Sequence, residues 1–468
     1  MTTGPAGGAH GGLHRGLALL VAGAFFMEIL DGTVIAPAAP HIAEDLGIAP
    51  VAVNVAITAY VLTLAVLIPI SGWLTDRFGA RLVFTSAVGV FTLASLGCAL
   101  AVNLPMLVGT RVLQGVGGAM MVPVGRLVVL RTTTKADLVR AIAYLTWPAL
   151  VAPVLAPALG GVLSTYASWR WIFVLNIPLG LAALVLSRRL VPDVRGDGPA
   201  GLDRRGFALT AVGVAALVVG LEKIGAATPD PAVVAVSLVV AVTSLGAAVV
   251  YLLRTPRPLL DLRILRVATF RVTALGGSVF RAVITAIPFL LPLFLQLGFG
   301  WNAAEAGLVV IALFVGNVGI KPATTPLMRL FGIRTVMLGA VLASAACLVG
   351  IAFVQATTPL PLLLGLLLLS GIVRSVGFTA YNSVAFSDVD QPRMNSANTL
   401  MSTLQELGAG LGVAVGALLV RVGEGLTDGG ADRPFRVAFV LLAVLLLVPA
   451  VEGLLLARTA GDEVTGRA

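Results

Sequence analysis

The stretch Gly72-Trp73-Leu74-Thr75-Asp76-Arg77-Phe78-Gly79-Ala80-Arg81 is a short charged turn between two long apolar runs. A partial copy of this turn, Phe331-Gly332-Ile333-Arg334, follows an apolar run at the corresponding place in the second half of the chain. Each of these runs is about 20 residues long, which is enough to cross a bilayer as a helix. One turn that recurs at one position indicates two related bundles of helices, a plan that is common among secondary transporters.

The composition is that of a membrane protein. Of the 468 residues, 58% are hydrophobic and only 11% are charged, whereas soluble domains contain roughly 25% charged residues. The apolar runs are unbroken, while the strands of a membrane β-barrel alternate apolar and polar residues. The sequence therefore predicts an all-α polytopic membrane protein.

Fourteen apolar runs predict fourteen spans. They lie at 16–40, 52–72, 82–101, 105–128, 140–163, 171–190, 207–225, 231–253, 272–297, 303–322, 334–354, 359–380, 395–421 and 435–457. Hydrophilic stretches at 191–205 and 254–271 bracket the seventh and eighth spans, which therefore look like an inserted pair. We expect a six-helix bundle over 1–190, a linker with two extra helices over 191–271, and a second six-helix bundle over 272–468.

The net charge of +9 is unevenly distributed, because most Lys and Arg residues fall in the loops of one predicted side. Arg140 and Arg329 are both on that side, whereas Arg170 is on the other. Cytoplasmic loops carry such an excess, so the sequence predicts a multi-pass protein of the cell membrane with both termini in the cytoplasm. The excess charge is expected to touch anionic lipid, and it gives no indication of nucleic-acid binding.

Two acids, Glu28 and Asp31, lie inside the first apolar run. Three residues apart, they share one face of a helix. Burying a charge in a membrane costs at least a few kcal/mol, so a protein that keeps two acids there is expected to handle protons or ions. Arg111 lies in the fourth run and needs a partner, which either acid could supply. Proton binding and arginine pairing would then compete, the alternative being a static ion pair.

Several other classes of function lack support in the sequence. No Gly-x-x-x-x-Gly-Lys-Ser/Thr loop and no large soluble domain occur, so the energy source is expected to be an ion gradient rather than ATP. The three histidines and the two cysteines have no metal-binding spacing. We therefore expect no metal, no cofactor and no enzymatic activity.

The stretch from Gly72 to Arg81 closely resembles the loop signature of the major facilitator superfamily, and the stretch from Arg111 to Ala119 resembles a second signature of that superfamily. The resemblance implies ion pairs at the cytoplasmic face that latch one conformation and break in the other. The alternative is ordinary topogenic charge. The residues of this expected cytoplasmic gate are Gly72, Asp76, Arg77, Gly79 and Arg81.

The fifth run resembles the antiporter signature of drug/proton exporters, although Ala152 and Ala156 stand where glycine is usual. Proline and glycine allow a helix to bend, and the expected hinge residues are Pro153, Pro157, Gly160 and Gly161. The segment Leu30–Pro40 is similar to the signature of fourteen-helix exporters, with Ala36 in place of an asparagine. Trp169–Phe173 with Asn176 matches another segment of that branch. The chain is thus identified as a member of the fourteen-helix drug:proton antiporter family.

This resemblance implies a proton-coupled exporter of small amphipathic compounds, a multidrug efflux protein of the inner membrane linked to antibiotic resistance, working as a monomer. Asp31 is expected to be the main protonation site, with Glu28 and Arg111 coupled to it. Candidates for the substrate cavity are Gln114, Arg281, Arg374, Asn382 and Glu406. Lys321 is expected to snorkel from a span end. Open alternatives are an exporter of a specific anionic metabolite or metal chelate, an inward proton symporter, and a membrane sensor that transports nothing.

Overall fold

The computed structural model describes residues 15–48, 50–134, 137–195, 201–225, 230–256, 258–301, 303–427, 429–457 and 460–461. All regular secondary structure in these ranges is helical, as predicted. The first helices are α1 (Arg15–Leu46), α2 (Asn54–Leu67), α3 (Ser71–Phe78), α4 (Ala80–Ala99), α5 (Leu104–Thr132), α6 (Leu138–Tyr166), α7 (Arg170–Val174) and α8 (Asn176–Leu190). They are followed by α9 (Arg204–Gly225) and α10 (Pro231–Arg254). The last are α11 (Ala268–Val272), α12 (Ser278–Leu293), α13 (Ala303–Gly319), α14 (Lys321–Phe331), α15 (Ile333–Ala352), α16 (Leu360–Ala385), α17 (Met394–Leu426), α18 (Arg433–Leu445) and α19 (Leu447–Leu455).

Among the described residues, eleven helical segments are long and apolar enough to cross a membrane, or twelve if the bent pair α13–α14 is one span. The chain is therefore a multi-pass membrane protein. Helices also cover the predicted spans 140–163 and 395–421, as α6 and α17, but these two are not among the eleven or twelve. The count of fourteen spans stays a prediction.

The recurring turn has one backbone conformation at both of its occurrences. Gly79 ends α3 with φ 86° and ψ 145°, and Gly332 ends α14 with φ 83° and ψ 149°. Glycine reaches this region of positive φ without the steric penalty that a Cβ imposes. The two turns therefore match in structure as well as in sequence.

The apolar core is divided into three clusters. Two of them lie within residues 17–191, and the third consists mostly of residues after 259. α9 packs against α10, α2 and α17. Only 11% of the apolar window of α10 is buried inside the protein, so most of this helix is available to face lipid.

The break between α13 and α14 bends the chain by 52°. Lys321 starts α14 at this bend, and its side chain is buried rather than directed to the surface. Its Nζ donates a hydrogen bond of 2.6 Å to Oγ1 of Thr379 on α16. The prediction that Lys321 snorkels is therefore wrong, because the bend turns the side chain towards a neighbouring helix.

Candidate functional site

The Asp31 carboxylate on α1 is held by donors from two other helices. Arg111 of α5 donates from Nη1 to Oδ2 of Asp31, and both side chains are completely buried. Oδ1 accepts hydrogen bonds of 2.8 Å from Nε2 of Gln114 and from Nδ2 of Asn176 at the start of α8. A buried ion pair is stable only when its remaining lone pairs are satisfied, and this arrangement meets that requirement for both carboxylate oxygens.

Further contacts fix the Arg111 guanidinium in place. Its Cζ lies 4.0 Å from the centre of the Tyr60 ring, a cation–π contact, and its Nη1 also donates to Oε1 of Gln114 at 2.8 Å. The Gln114 amide donates in turn to Oγ of Ser95 at 2.8 Å. The ion pair is thus part of a polar network that joins α1, α2, α4, α5 and α8.

Glu28 lies about one helical turn before Asp31, but different charged residues surround its carboxylate. Its side chain is buried, and the charges that act on it most strongly are Glu406 and Arg126. Tyr60 donates from its hydroxyl to the backbone oxygen of Glu28 at 3.2 Å. The sequence left open which acid pairs with Arg111, and in the structure that acid is Asp31.

A second polar cluster joins α5 to α12, α16 and α17. Arg126 donates from Nη2 to Oε1 of Gln405 at 2.8 Å, and the Gln405 amide donates to Oδ1 of Asn382 at 2.6 Å. Arg281 donates from Nε to the backbone oxygen of Gln405 at 2.7 Å and interacts electrostatically with Glu406. Three of the predicted cavity residues therefore lie together: Arg281, Asn382 and Glu406.

The other two cavity candidates make none of the hydrogen bonds of this cluster, although Arg374 interacts electrostatically with Arg281. Gln114 is fully buried, and its amide donates a hydrogen bond to the Asp31 carboxylate. Arg374 donates to the backbone oxygen of Ile284 at 3.2 Å and lies over the Phe314 ring. The cavity beside Arg281 has a volume of about 10 Å³, far below the roughly 300–1,000 Å³ of sites for drug-sized ligands. In this arrangement the cluster is closed.

Arg126 was not selected as a site residue from the sequence. The available signal was its position inside the fourth apolar run, because an arginine at membrane depth is a functional candidate by default. What the sequence could not supply is its partner, since Gln405 is 279 residues away. Arg126 also lies over the ring of Phe25 on α1, with 5.6 Å between Cζ and the ring centre.

The predicted gate begins with a close contact between α3 and α17. The backbone oxygen of Gly72 accepts a hydrogen bond of 3.0 Å from Nδ2 of Asn395, and a Cβ at Gly72 would overlap Oγ1 of Thr399. Further along α17, Asn398 donates to the backbone oxygen of Pro123 at 2.8 Å. With Thr399 facing position 72, the absence of a side chain there lets the two helices approach this closely.

The charged gate residues are less buried. Oδ1 of Asp76 lies 4.0 Å from Nη2 of Arg131 on α5, a long ion pair with partly exposed partners. Arg77 is exposed, and Arg81 donates from Nε to the backbone oxygen of Val191 at 2.7 Å. A Cβ at Gly79 would collide with Oδ1 of Asp193. The stretch 72–81 is thus tied to α5, to α17 and to the segment after α8.

The four expected hinge residues all lie within α6, which is continuous from Leu138 to Tyr166. Gly160 is buried. The side chains of Pro153 and Pro157, and the surroundings of Gly161, lie outside the described part of the structure. The hinge therefore stays a prediction.

Beyond the predicted end of the first span, Asp45 forms an ion pair with Arg170 at 2.7 Å between Oδ2 and Nη1. Nε1 of Trp169 donates to the same oxygen at 3.1 Å. The hydrogen bond from Arg170 stabilises the charged form and lowers the pKa of Asp45. This contact ties the end of α1 to the start of α7.

The sequence profile of the Major Facilitator Superfamily matches residues 21–413 and 273–466. The chain belongs to the major facilitator superfamily. It is 37% identical over 444 residues to the "Putative multidrug resistance protein MdtD" of Salmonella heidelberg (strain SL476), covering 92% of this chain and 93% of that protein. The protein of the same name from Salmonella newport (strain SL254) is 36% identical over the same shares. The crystal structure of the human organic anion transporter MFSD10 (TETRAN) has a TM-score of 0.65, with 14% identity over 94% of this chain and 99% of that one.

These comparisons confirm the predicted superfamily and fold. A superfamily match across the chain and relatives named for multidrug resistance make this protein a membrane transporter of small molecules rather than an enzyme. The low identity to MFSD10 concerns the fold alone.

Proposed function

We propose that this major facilitator protein exports small amphipathic compounds in exchange for protons. It would act as a monomer in the cytoplasmic membrane, with both termini inside the cell. The observation that carries the proposal is the fully buried carboxylate of Asp31, paired with Arg111 and held by Gln114 and Asn176. The multidrug-resistance names of the relatives support the class of substrate.

A proton on Asp31 would remove the charge that holds Arg111. Removing the charge of one partner of a buried ion pair costs roughly 3–5 kcal/mol, because the other charge stays buried and unpaired. At about 1.4 kcal/mol for each tenfold change, that cost corresponds to two to nearly four orders of magnitude in a conformational equilibrium. Proton binding at this one carboxylate could therefore drive a switch between two arrangements of the helices.

The second step of the proposal is alternating access. Contacts between early and late helices hold the present arrangement together: Gly72 with Asn395, Pro123 with Asn398, and Arg126 with Gln405. These contacts would have to break for substrate to enter from the predicted cytoplasmic side. They would form again when the carrier opens to the outside.

The test uses proteoliposomes that contain a pH-sensitive dye and a fluorescent lipophilic cation. With an imposed proton gradient, the wild-type protein should move the cation against its concentration gradient. Protons should move down their own gradient in the opposite direction at the same time. Asp31→Asn should lose both signals, while Asp45→Asn, on the same helix but outside the network, should keep them. Uphill transport that persists in Asp31→Asn would refute the role of this carboxylate.

A second candidate function is the export of a specific anionic metabolite or metal chelate. It is favoured by Arg126, Arg281 and Arg374, three arginines in the protein interior accompanied there by Glu28 and Glu406. Presenting a lipophilic cation and an organic anion of similar size to the same liposomes separates the two functions. Proton release driven only by the anion would favour the second.

A further inference from the structure

A cavity of about 610 Å³ lies between α6 and the bent pair α13–α14, apart from both polar clusters described above. Its volume is within the range of sites that bind drug-sized ligands. The cavity lies beside the 52° bend, with Val318 before the bend and Lys321 after it. Its lining therefore comes from helices of the early and the late part of the chain.

The cavity is strongly basic. Arg140 contributes from α6, and Lys321 and Arg329 contribute from α14, while no carboxylate is present among its described lining residues. Tyr144 and Thr325 add hydroxyl groups to the lining. Lys321 is buried and donates to Thr379, whereas the two arginines are exposed. Two exposed guanidinium groups and a buried amine from two separate helices favour an anion that reaches between them.

The surface beside the cavity is apolar. Leu330 and Phe331, which follow Arg329 directly, are 64% and 51% exposed. The charge distribution of the sequence places Arg140 and Arg329 on the predicted cytoplasmic side. A basic pocket between transmembrane helices at this level fits the headgroup of an anionic lipid. The exposed apolar side chains beside it would contact the acyl chains of such a lipid, which a small soluble anion would leave uncovered.

We propose that this cavity binds the phosphate headgroup of an anionic phospholipid. The headgroup bridges Arg140 on α6 and Arg329 on α14, with Lys321 at the inner end of the cavity. A lipid that bridges these two helices stabilises the present arrangement of α6 against α14. This site does not depend on the proposed transport function, because it uses none of the residues of the Asp31 network.

The test measures retained lipid by native mass spectrometry of the full-length protein, released from nanodiscs that contain phosphatidylglycerol and phosphatidylcholine. Each of Arg140→Gln and Arg329→Gln should reduce the affinity for phosphatidylglycerol about fivefold, and the double variant about 25-fold, at about 1 kcal/mol for each basic residue. Arg189→Gln is the matched control, since Arg189 is exposed on the same predicted side but does not line the cavity. Both cavity arginines are exposed, so their replacement should leave the core intact. Equal retention in all variants would overturn the proposal.

A second arm distinguishes a lipid from a soluble anion. Inorganic phosphate is added to the detergent-solubilised protein, and thermal unfolding is compared with and without phosphatidylglycerol. Stabilisation by phosphatidylglycerol that depends on Arg140 and Arg329, with none from phosphate, supports the lipid site. Stabilisation by phosphate with the same dependence on the two arginines would overturn the assignment to lipid.

Discussion

Replacing Gly72 with alanine should shift the protein away from the arrangement described here. The added Cβ would overlap Oγ1 of Thr399 and would lie 3.3 Å from Oδ1 of Asn395. Both neighbours belong to α17, so the overlap forces α3 and α17 apart while the interior of each helix can stay as it is. Overpacking of this kind costs typically 1–3 kcal/mol. At about 1.4 kcal/mol for each tenfold change, the population of this arrangement should fall roughly 5- to 150-fold relative to one in which α3 and α17 are separated.

The shift can be measured as a distance between spin labels. Phe78→Cys, at the end of α3, and Arg393→Cys, before α17, provide two exposed positions, and the buried Cys98 and Cys347 are first replaced by alanine. Pulsed electron paramagnetic resonance in nanodiscs should show one short distance without the glycine substitution. With Gly72→Ala, a second and longer distance should appear, and its population relative to the short distance should rise roughly 5- to 150-fold.

Two further variants make the prediction sharp. Gly109→Ala is the matched control, because a Cβ at Gly109 on α5 would meet nothing within 4 Å, and it should leave the distances unchanged. Gly72→Ala combined with Thr399→Ala removes the overlapping hydroxyl and should restore most of the short distance. An unchanged distance distribution in Gly72→Ala alone, or the same shift in Gly109→Ala, would contradict the reasoning.

Three other predictions concern stability, and each is checked by thermal unfolding of the purified protein. Asn176→Ala removes a 2.8 Å hydrogen bond to the Asp31 carboxylate and should cost about 1.5–3 kcal/mol, and an unchanged melting temperature would contradict it. Asp45→Asn should cost less than about 1 kcal/mol at pH 7. Because Arg170 lowers the pKa of Asp45 in the folded protein, that difference should fade as the pH drops below the ordinary value of 3.8, and a difference that grows in acid would refute it. Gly332→Ala should cost about 1–3 kcal/mol, since φ is 83° there, and a neutral effect would be inconsistent with this backbone.

Much of the fold could be predicted from the sequence, because membrane helices are specified locally by runs of apolar residues. The sequence could not predict whether Glu28 or Asp31 is the partner of Arg111. At 100° per residue the two side chains are only about 60° apart around α1, so the rotation of the helix decides which one meets Arg111. That rotation is set by packing against α5, α6 and α8, which the pattern of a single segment does not contain.

Contacts between distant parts of the chain could not be predicted from the sequence either. Arg126 forms a hydrogen bond with Gln405 because early helices pack against α17. The close approach of Gly72 to Thr399 has the same cause. Lys321 was misinterpreted for a related reason. A lysine near the end of an apolar run normally extends to the surface, but the bend at α14 directs this one to Thr379. Local patterns thus locate the charges, and tertiary packing assigns their partners.

Under the proposed mechanism, α1 is the element that connects proton binding with the contact between early and late helices. Asp31 belongs to a network formed by the early helices α1, α2, α4, α5 and α8, whereas Glu28 interacts with Arg126 and Glu406 at the contact with the late helices. When both are charged, the two acids repel one another, and they are carried by the same continuous helix. A proton on Asp31 therefore acts on that contact in two ways, by releasing Arg111 and by removing the negative charge beside Glu28. In an exporter with a single isolated acid, protonation would release the arginine but would not change the charge beside a second acid.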